Sequence, residues 1–282
     1  MRMYVPNILL NKGDQMIYNL KHQSIDRRDY QLLYQKVDGL PSRVDLRKDC
    51  PPVFNQADLG SCSSQAGVAA RMMVGDIDTM LSRLYLYYKE REMNNETSED
   101  SGATMRDVCK ALAKFGVCEE QIWPYVVKKF DKAPPVEASL NAEKYKIIRY
   151  SALHGTDAIR NYLAIHQQPV LIGMDVYSCF ESKEVKDTGN LPLPGKFEQY
   201  LGGHAILIVG YDDNKLAAKK RGLISWIKQL FSGKERLEQM KTGCFICRNS
   251  WGKDWGDGGY FYMPYDYVNN GLAFDAWVIS DD

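Results

Sequence analysis

Residues 55–73 read NQADLGSCSSQAGVAARMM, a polar loop passing through Gly60 and Ser61 into an apolar-periodic run that opens close to Cys62. The pattern predicts a long helix whose first turn carries the cysteine. A helix start stabilises a thiolate, because its first N–H groups lack partners and the dipole is positive there. Residue type and position therefore fit a nucleophile. They also fit packing, since free cysteine is among the residues most often buried.

Outward from this stretch, apolar residues keep a helical spacing through 66–81 and return on one face at Met105, Val108, Ala111 and Leu112. Residues from about 40 to 144 are thus predicted to form a helical lobe. Beyond Tyr145 the runs shorten: PVLIGMDVY (169–177), HAILIVGY (204–211), CFICRNSW (244–251) and GYFYMPY (259–265) are rich in branched and aromatic residues and bounded by Gly, Pro or Asn. These predict a β lobe over about 145–282, and an α+β class. Residues 1–39 are polar and end at the Leu40-Pro41 turn signal, so they read as an N-terminal extension, with a short prosegment as one reading. No Gly/Ser linker separates this extension from residue 40 onward, which predicts that it packs on the main domain, along or near a cleft. Residues 215–241 form an insertion with helical spacing. It carries eight Lys or Arg against Glu235 and Glu238, a net charge of 8 − 2 = +6. Leu223, Ile227, Leu230 and Phe231 fall on one face with Trp226 nearby, so its apolar side either packs on the β lobe or serves an acidic protein or an anionic membrane surface.

The whole chain of 282 residues balances 36 Lys and Arg against 36 Asp and Glu, so net charge gives no argument for a nucleic-acid partner. No stretch reaches the roughly 18 apolar residues of a membrane span, and the N-terminus does not read as a secretory signal. The expected location is cytoplasmic, or exported without a standard signal. Seven cysteines are an odd set that suggests reduced thiols. Cys244 and Cys247 form a CxxC inside an apolar strand pattern without a second pair or a nearby His pair, so core packing is preferred to a zinc site and no metal or cofactor is expected.

A thiol nucleophile needs a base that is distant in sequence and near in space. Four histidines are available. His22 and His166 lie in polar segments and His154 precedes Gly155, which suits solvated surface. His204 instead follows Gly202-Gly203 and opens a strongly apolar strand, so its backbone is anchored while its ring can face a cleft. Asn249 supplies an amide oxygen able to fix the imidazole tautomer, and Trp251 could cover that bond against water.

In this order the segments resemble the papain-like cysteine peptidases. Gln56 stands six residues before Cys62, as that family's oxyanion-hole glutamine does; GGHAILIVGYDD is similar to its histidine segment and NSWGKDWGDGGY to its asparagine signature. The resemblance spans about residues 40–279 and is strongest to the bacterial and large-virus branch, with LSRLYLYY, DSGA and MPYDY. It implies a two-lobed fold with an antiparallel β-barrel-like second lobe and a cleft between the lobes. It also implies a cysteine endopeptidase in which Cys62 attacks, His204 is the base, Asn249 orients it and Gln56 donates to the oxyanion. Gly102 and Gly203 would line opposite walls of a site for a protein or peptide substrate, though both glycines also suit plain turns. Phe274 or Asp275 could reach the floor of the specificity pocket, which leaves side-chain preference open. Ser63 stands where papain has a tryptophan, and Leu59 where a disulfide cysteine is usual. The extension is shorter than the family's usual inhibitory prosegment. A thiol acyltransferase or amidase on the same triad, or an inactive binding module on the same fold, are the competing readings.

Overall fold

The computed structural model describes residues 16–34, 37–216 and 242–282, with Thr242 described by its backbone alone. Residues 1–15 of the extension and nearly all of the basic insertion lie outside the described residues.

The helical part contains α1 (Cys62–Val74), α2 (Arg83–Glu92), α3 (Met105–Lys114) and α4 (Val136–Ala142). Helix α1 is central and is buried along nearly its whole length. Its small residues make this possible: a Cβ on Gly67 would stand 2.5 Å from Val108 Cγ1 and 3.0 Å from Leu86 Cδ2, so α2 and α3 approach it there closely. Helix α3 opens with a capping box between Thr104 and Asp107, and α2 opens on Ser82, whose hydroxyl accepts from the Tyr85 N–H. The helical spacing read through residue 81 overshoots. Gly75 and Asp76 end α1, with Asp76 in the left-handed region, and Leu81 pairs instead in a bridge with Glu119.

Among the described residues, seven strands form one antiparallel sheet: β1 (Arg43–Asp45), β2 (Arg149–Leu153), β3 (Val170–Tyr177), β4 (Tyr200–Leu216), β5 (Thr242–Arg248), β6 (Tyr260–Pro264) and β7 (Ala273–Ser280). Helices α5 (Thr156–His166) and α6 (Lys183–Thr188) lie between its strands in sequence. The order is β2-β7-β3-β4-β5-β6, with β1 pairing β4. Two expectations are corrected here. Strand β1, from the part read as helical, belongs to the sheet. The sheet is also open and not a closed barrel, with one isolated bridge on each outer strand: Gln31 bridges Ala152 on β2, and Asn190 bridges Tyr262 on β6.

Candidate active site

Cys62 begins α1 and is 1% exposed. Ser61 holds the N-cap position without capping by its side chain, because its hydroxyl is shared with Tyr125 and accepts from Gln65. The first N–H groups of α1 are therefore left to face the cysteine end of the helix. Burial pushes the Cys62 thiol up to about 12; the backbone N–H of Ala205 pulls it down, and Glu90 adds to the rise. That Ala205 contact puts the thiol beside β4, one residue after His204.

His204 is fully buried within β4, where the apolar register Ala205–Tyr211 fixes its backbone. Its Nε2 and Asn249 Oδ1 are 2.8 Å apart, and its Nδ1 is buried without a hydrogen-bond partner among the described residues. Burial lowers the imidazole to about 4, against a smaller upward pull from Asn249. Asn249 follows the end of β5. Its N–H donates to Gly259 O, and its Oδ1 also accepts the Ser250 N–H at 2.8 Å. The Trp251 ring lies 5.2 Å from the imidazole and packs on Phe180 and Trp255, an aromatic cover over the His204–Asn249 bond.

Gln56 is buried beside these groups, its Oε1 accepting from Ser250 Oγ at 2.6 Å and its Nε2 donating to Leu59 O at 2.9 Å. The second N–H of that amide stays available, and Ser250 fixes which end of the amide is the donor. The two family departures have structural counterparts. Leu59 packs with Leu84 and Tyr87, apolar contact where a disulfide would be usual. Ser63 Oγ donates to Glu90 Oε2 at 2.6 Å, and burial raises Glu90 to about 8.

A chain segment from the extension already lies in the cleft. The Tyr18 ring stands edge-on to His204 at 6.0 Å and near Trp251 at 5.9 Å, and its hydroxyl donates to Glu181 at 2.7 Å. Leu20 N–H donates to Gly203 O at 3.1 Å, and Lys21 N–H donates to Ala103 O at 2.9 Å. Gly102 and Gly203 do face each other across this segment. A Cβ on Gly102 would meet Asn19 O at 2.0 Å, and one on Gly203 would meet Leu20 O at 2.4 Å. The Leu20 side chain reaches into a recess where a Cβ on Gly173 would lie 2.8 Å from it and 2.7 Å from the Phe274 ring. Phe274, not Asp275, thus lines this recess; Asp275 turns to accept the Gln23 N–H at 3.1 Å. Further on, Asp29 pairs with Arg106, both nearly buried, and residues 30–32 bond to Ala152. His22, read from sequence as solvated, is exposed; its ring also stacks on Phe274 at 3.7 Å and its Nε2 lies 3.0 Å from Asp175 Oδ1.

Sequence reasoning missed Tyr18, Asn19, Leu20, Glu90 and Gly173 as parts of this site. Only Gly173 carried a signal, because a glycine inside a strand pattern often marks a close approach. Cys244 and Cys247 lie buried on β5, and no cluster able to hold a metal occurs among the described residues.

The chain and its fold have counterparts among known proteins. Residues 40–277 match the profile described as papain family cysteine protease, and the chain belongs to that family. It is a cysteine peptidase, a hydrolase. It is 34% identical over 265 residues to a peptidase C1-like protein of Acanthamoeba polyphaga mimivirus, covering 87% of this chain and 75% of that one. It is 28% identical over 239 residues to Peptidase 1 of Psoroptes ovis, covering 81% of this chain and 62% of that one. Among solved structures, xylellain, a cysteine protease from Xylella fastidiosa, superposes with a TM-score of 0.76 at 32% identity, covering 97% of this chain and 99% of that one. Digestive procathepsin L 3 of Tenebrio molitor shares the fold, with a TM-score of 0.63 at 18% identity over 90% of this chain and 74% of its own. The bacterial and large-virus likeness agrees with the branch read from the motifs. Among the described residues, no helix is long and apolar enough to cross a membrane.

Proposed function

We propose that the chain is an endopeptidase in which Cys62 is the nucleophile, His204 the base, Asn249 its orienting partner and Gln56 an oxyanion donor. The observation that carries this is the bond between His204 Nε2 and Asn249 Oδ1. It leaves Nδ1 as the ring atom free to exchange a proton with Cys62. The Cys62 proton passes to Nδ1, and the sulfur bonds to the peptide carbonyl carbon. The carbonyl oxygen then takes the negative charge, within reach of Gln56 Nε2 and the Cys62 N–H. Nδ1–H protonates the leaving nitrogen as the C–N bond breaks, which leaves a thioester. Water attacks that thioester, giving its proton to His204, and the C–S bond breaks to release the acid. An acyl transferase would differ only at this last step, with an amine in place of water. Product masses with a peptide substrate distinguish the two. Labelling by an epoxysuccinyl inhibitor, mapped by mass spectrometry, should find Cys62 alone modified, and Cys62→Ala should be inactive yet folded. Activity above a few per cent in that variant sinks the assignment.

The segment at residues 17–34 supports a second part of the reading, self-inhibition. His204 protonates the amine that leaves, so a productive substrate runs from the Gly102 wall toward His204 and Trp251. The segment runs the other way, with Tyr18 at His204 and Lys21 at Ala103. It fills the cleft without offering a carbonyl in the sense needed for attack.

A further inference from the structure

The segment in the cleft also reveals the chemistry of the walls it touches. Counting away from the nucleophile, Asn19 lies against Gly60, two residues before Cys62, then Leu20 fills the Gly173–Phe274 recess, and Lys21 follows. The Lys21 backbone is fixed by its N–H bond to Ala103 O, and its Nζ is 2.6 Å from Glu96 Oε2. Glu96 is not an incidental surface acid. Its carboxylate accepts from Ser101 Oγ at 2.8 Å on the same oxygen, one residue before Gly102. The loop that carries it is built from below by Arg91, whose buried guanidinium donates to the carbonyls of Thr97 and Glu99. The Glu96 N–H closes that turn on Arg91 O at 3.0 Å. The neighbouring acid, Asp100, is differently employed: its carboxylate accepts the Gly60 N–H and the Tyr87 hydroxyl and meets Asn19 Nδ2 at 3.5 Å, so it serves the place before Lys21.

Resting on the proposed function, we propose that Glu96 is a specificity-determining residue that selects substrates with lysine or arginine three residues before the scissile bond. A wall belongs to the enzyme and not to the direction of the chain lying on it. An extended substrate running the productive way therefore passes the same three places, with its third side chain opposite Glu96. Lysine bonds to Glu96 as Lys21 does, arginine can do so through two N–H groups, and glutamate meets a like charge. The pair is partly exposed, 40% for Lys21 and 36% for Glu96, so the discrimination is modest and sensitive to salt.

The test uses the full-length chain with Tyr18→Ala, Leu20→Gly and Lys21→Ala to weaken its hold on the cleft. It is assayed on fluorogenic amides of the form X-Leu-Asn, where X is Lys, Arg, Gln or Glu. The expected kcat/KM is about fivefold higher for Lys and Arg than for Glu, with Gln between and the spread shrinking at high salt. Adding Glu96→Gln should collapse the spread, and Glu96→Lys should reverse it. A spread that survives Glu96→Gln, or no spread with Glu96 intact, overturns the inference. So does inhibitor labelling of Cys62 without cleavage of any of these peptides, which leaves the proposed function standing. Absence of both labelling and cleavage removes the proposed function and this inference with it.

Discussion

Burial drives Cys62 and His204 toward their uncharged forms, the thiol up to about 12 and the imidazole down to about 4. Part of that burial comes from the Tyr18 ring on His204. With a thiol that high, little thiolate exists at neutral pH, so iodoacetamide should modify Cys62 of the full-length protein slowly below about pH 9. Tyr18→Ala should shift the rate profile to lower pH; an unchanged profile would mean that Tyr18 contributes nothing to the covered state. At the same scale, His204→Ala should be as damaging to kcat as loss of Cys62, whereas Asn249→Ala should leave measurable activity, because it orients the base without taking the proton. Circular dichroism and a melting curve on each variant separate catalytic loss from unfolding. Glu90 gives a stability prediction. Its pKa is raised from the ordinary 4.5 to about 8, so between those values the unfolded chain releases a proton that the folded one keeps. Glu90 therefore favours folding fully below about pH 4.5 and loses that contribution as pH rises through about 8. Glu90→Gln should flatten the decline in melting temperature between pH 5 and pH 8.5, and an equal decline in both proteins counts against a buried neutral Glu90.

Among the elements, the described part of the extension does two things at once. It crosses the cleft at Tyr18, Leu20 and Lys21, and it closes the free edge of β2 at residues 30–32. Between these places the Asp29–Arg106 pair anchors it on α3, with side chains 12% and 9% exposed. Removing one partner of so sheltered a pair leaves a charge without its counterpart, a loss on the order of a few kcal/mol. Asp29→Asn should therefore lower the melting temperature and raise peptidase activity together. Truncation to Leu40 should go further in both respects and, by baring the β2 edge, should increase aggregation. A truncated protein with wild-type activity and stability would show that the segment neither inhibits nor stabilises.

At the scale of the molecule, charge is neutral overall yet concentrated as +6 in residues 215–241, nearly all of which lie outside the described residues. The described start of that stretch, Lys215, places its ammonium 3.6 Å from the centre of the Tyr262 ring on β6. The residues of its apolar face, for which the sequence offers packing or an acidic-protein or membrane exosite, lie outside the described residues. The expected result is no co-sedimentation with anionic vesicles at low salt. Binding that is lost on changing Trp226, Lys228 and Phe231 to Ser would reverse the preference.

Much of the site was legible in the one-dimensional pattern because its groups sit at element starts and ends, where sequence signals are strongest. Cys62 opens a helix whose preceding Gly60 and Ser61 mark the boundary, His204 lies four residues into β4 where its apolar run begins, and Asn249 leads out of β5 into a glycine-rich loop. Helix and strand periods follow from local geometry, so the two halves of the fold could be read as well. Other features depend on contacts between residues far apart in the chain, which no local pattern records. The bridges of residues 31 and 190 on the two outer strands join distant parts of the chain, and β1 depends on a pairing with β4 some 170 positions away, as Val44 with Tyr211. Glu90 is an ordinary helix residue in sequence, and only tertiary burial makes it a neutral acid next to the nucleophile's neighbour. The extension's path is the clearest case. Tyr18, Asn19 and Leu20 show no periodicity of their own, and their place is decided by recesses that Gly60, Gly102, Gly173 and Gly203 leave for them once both lobes are assembled.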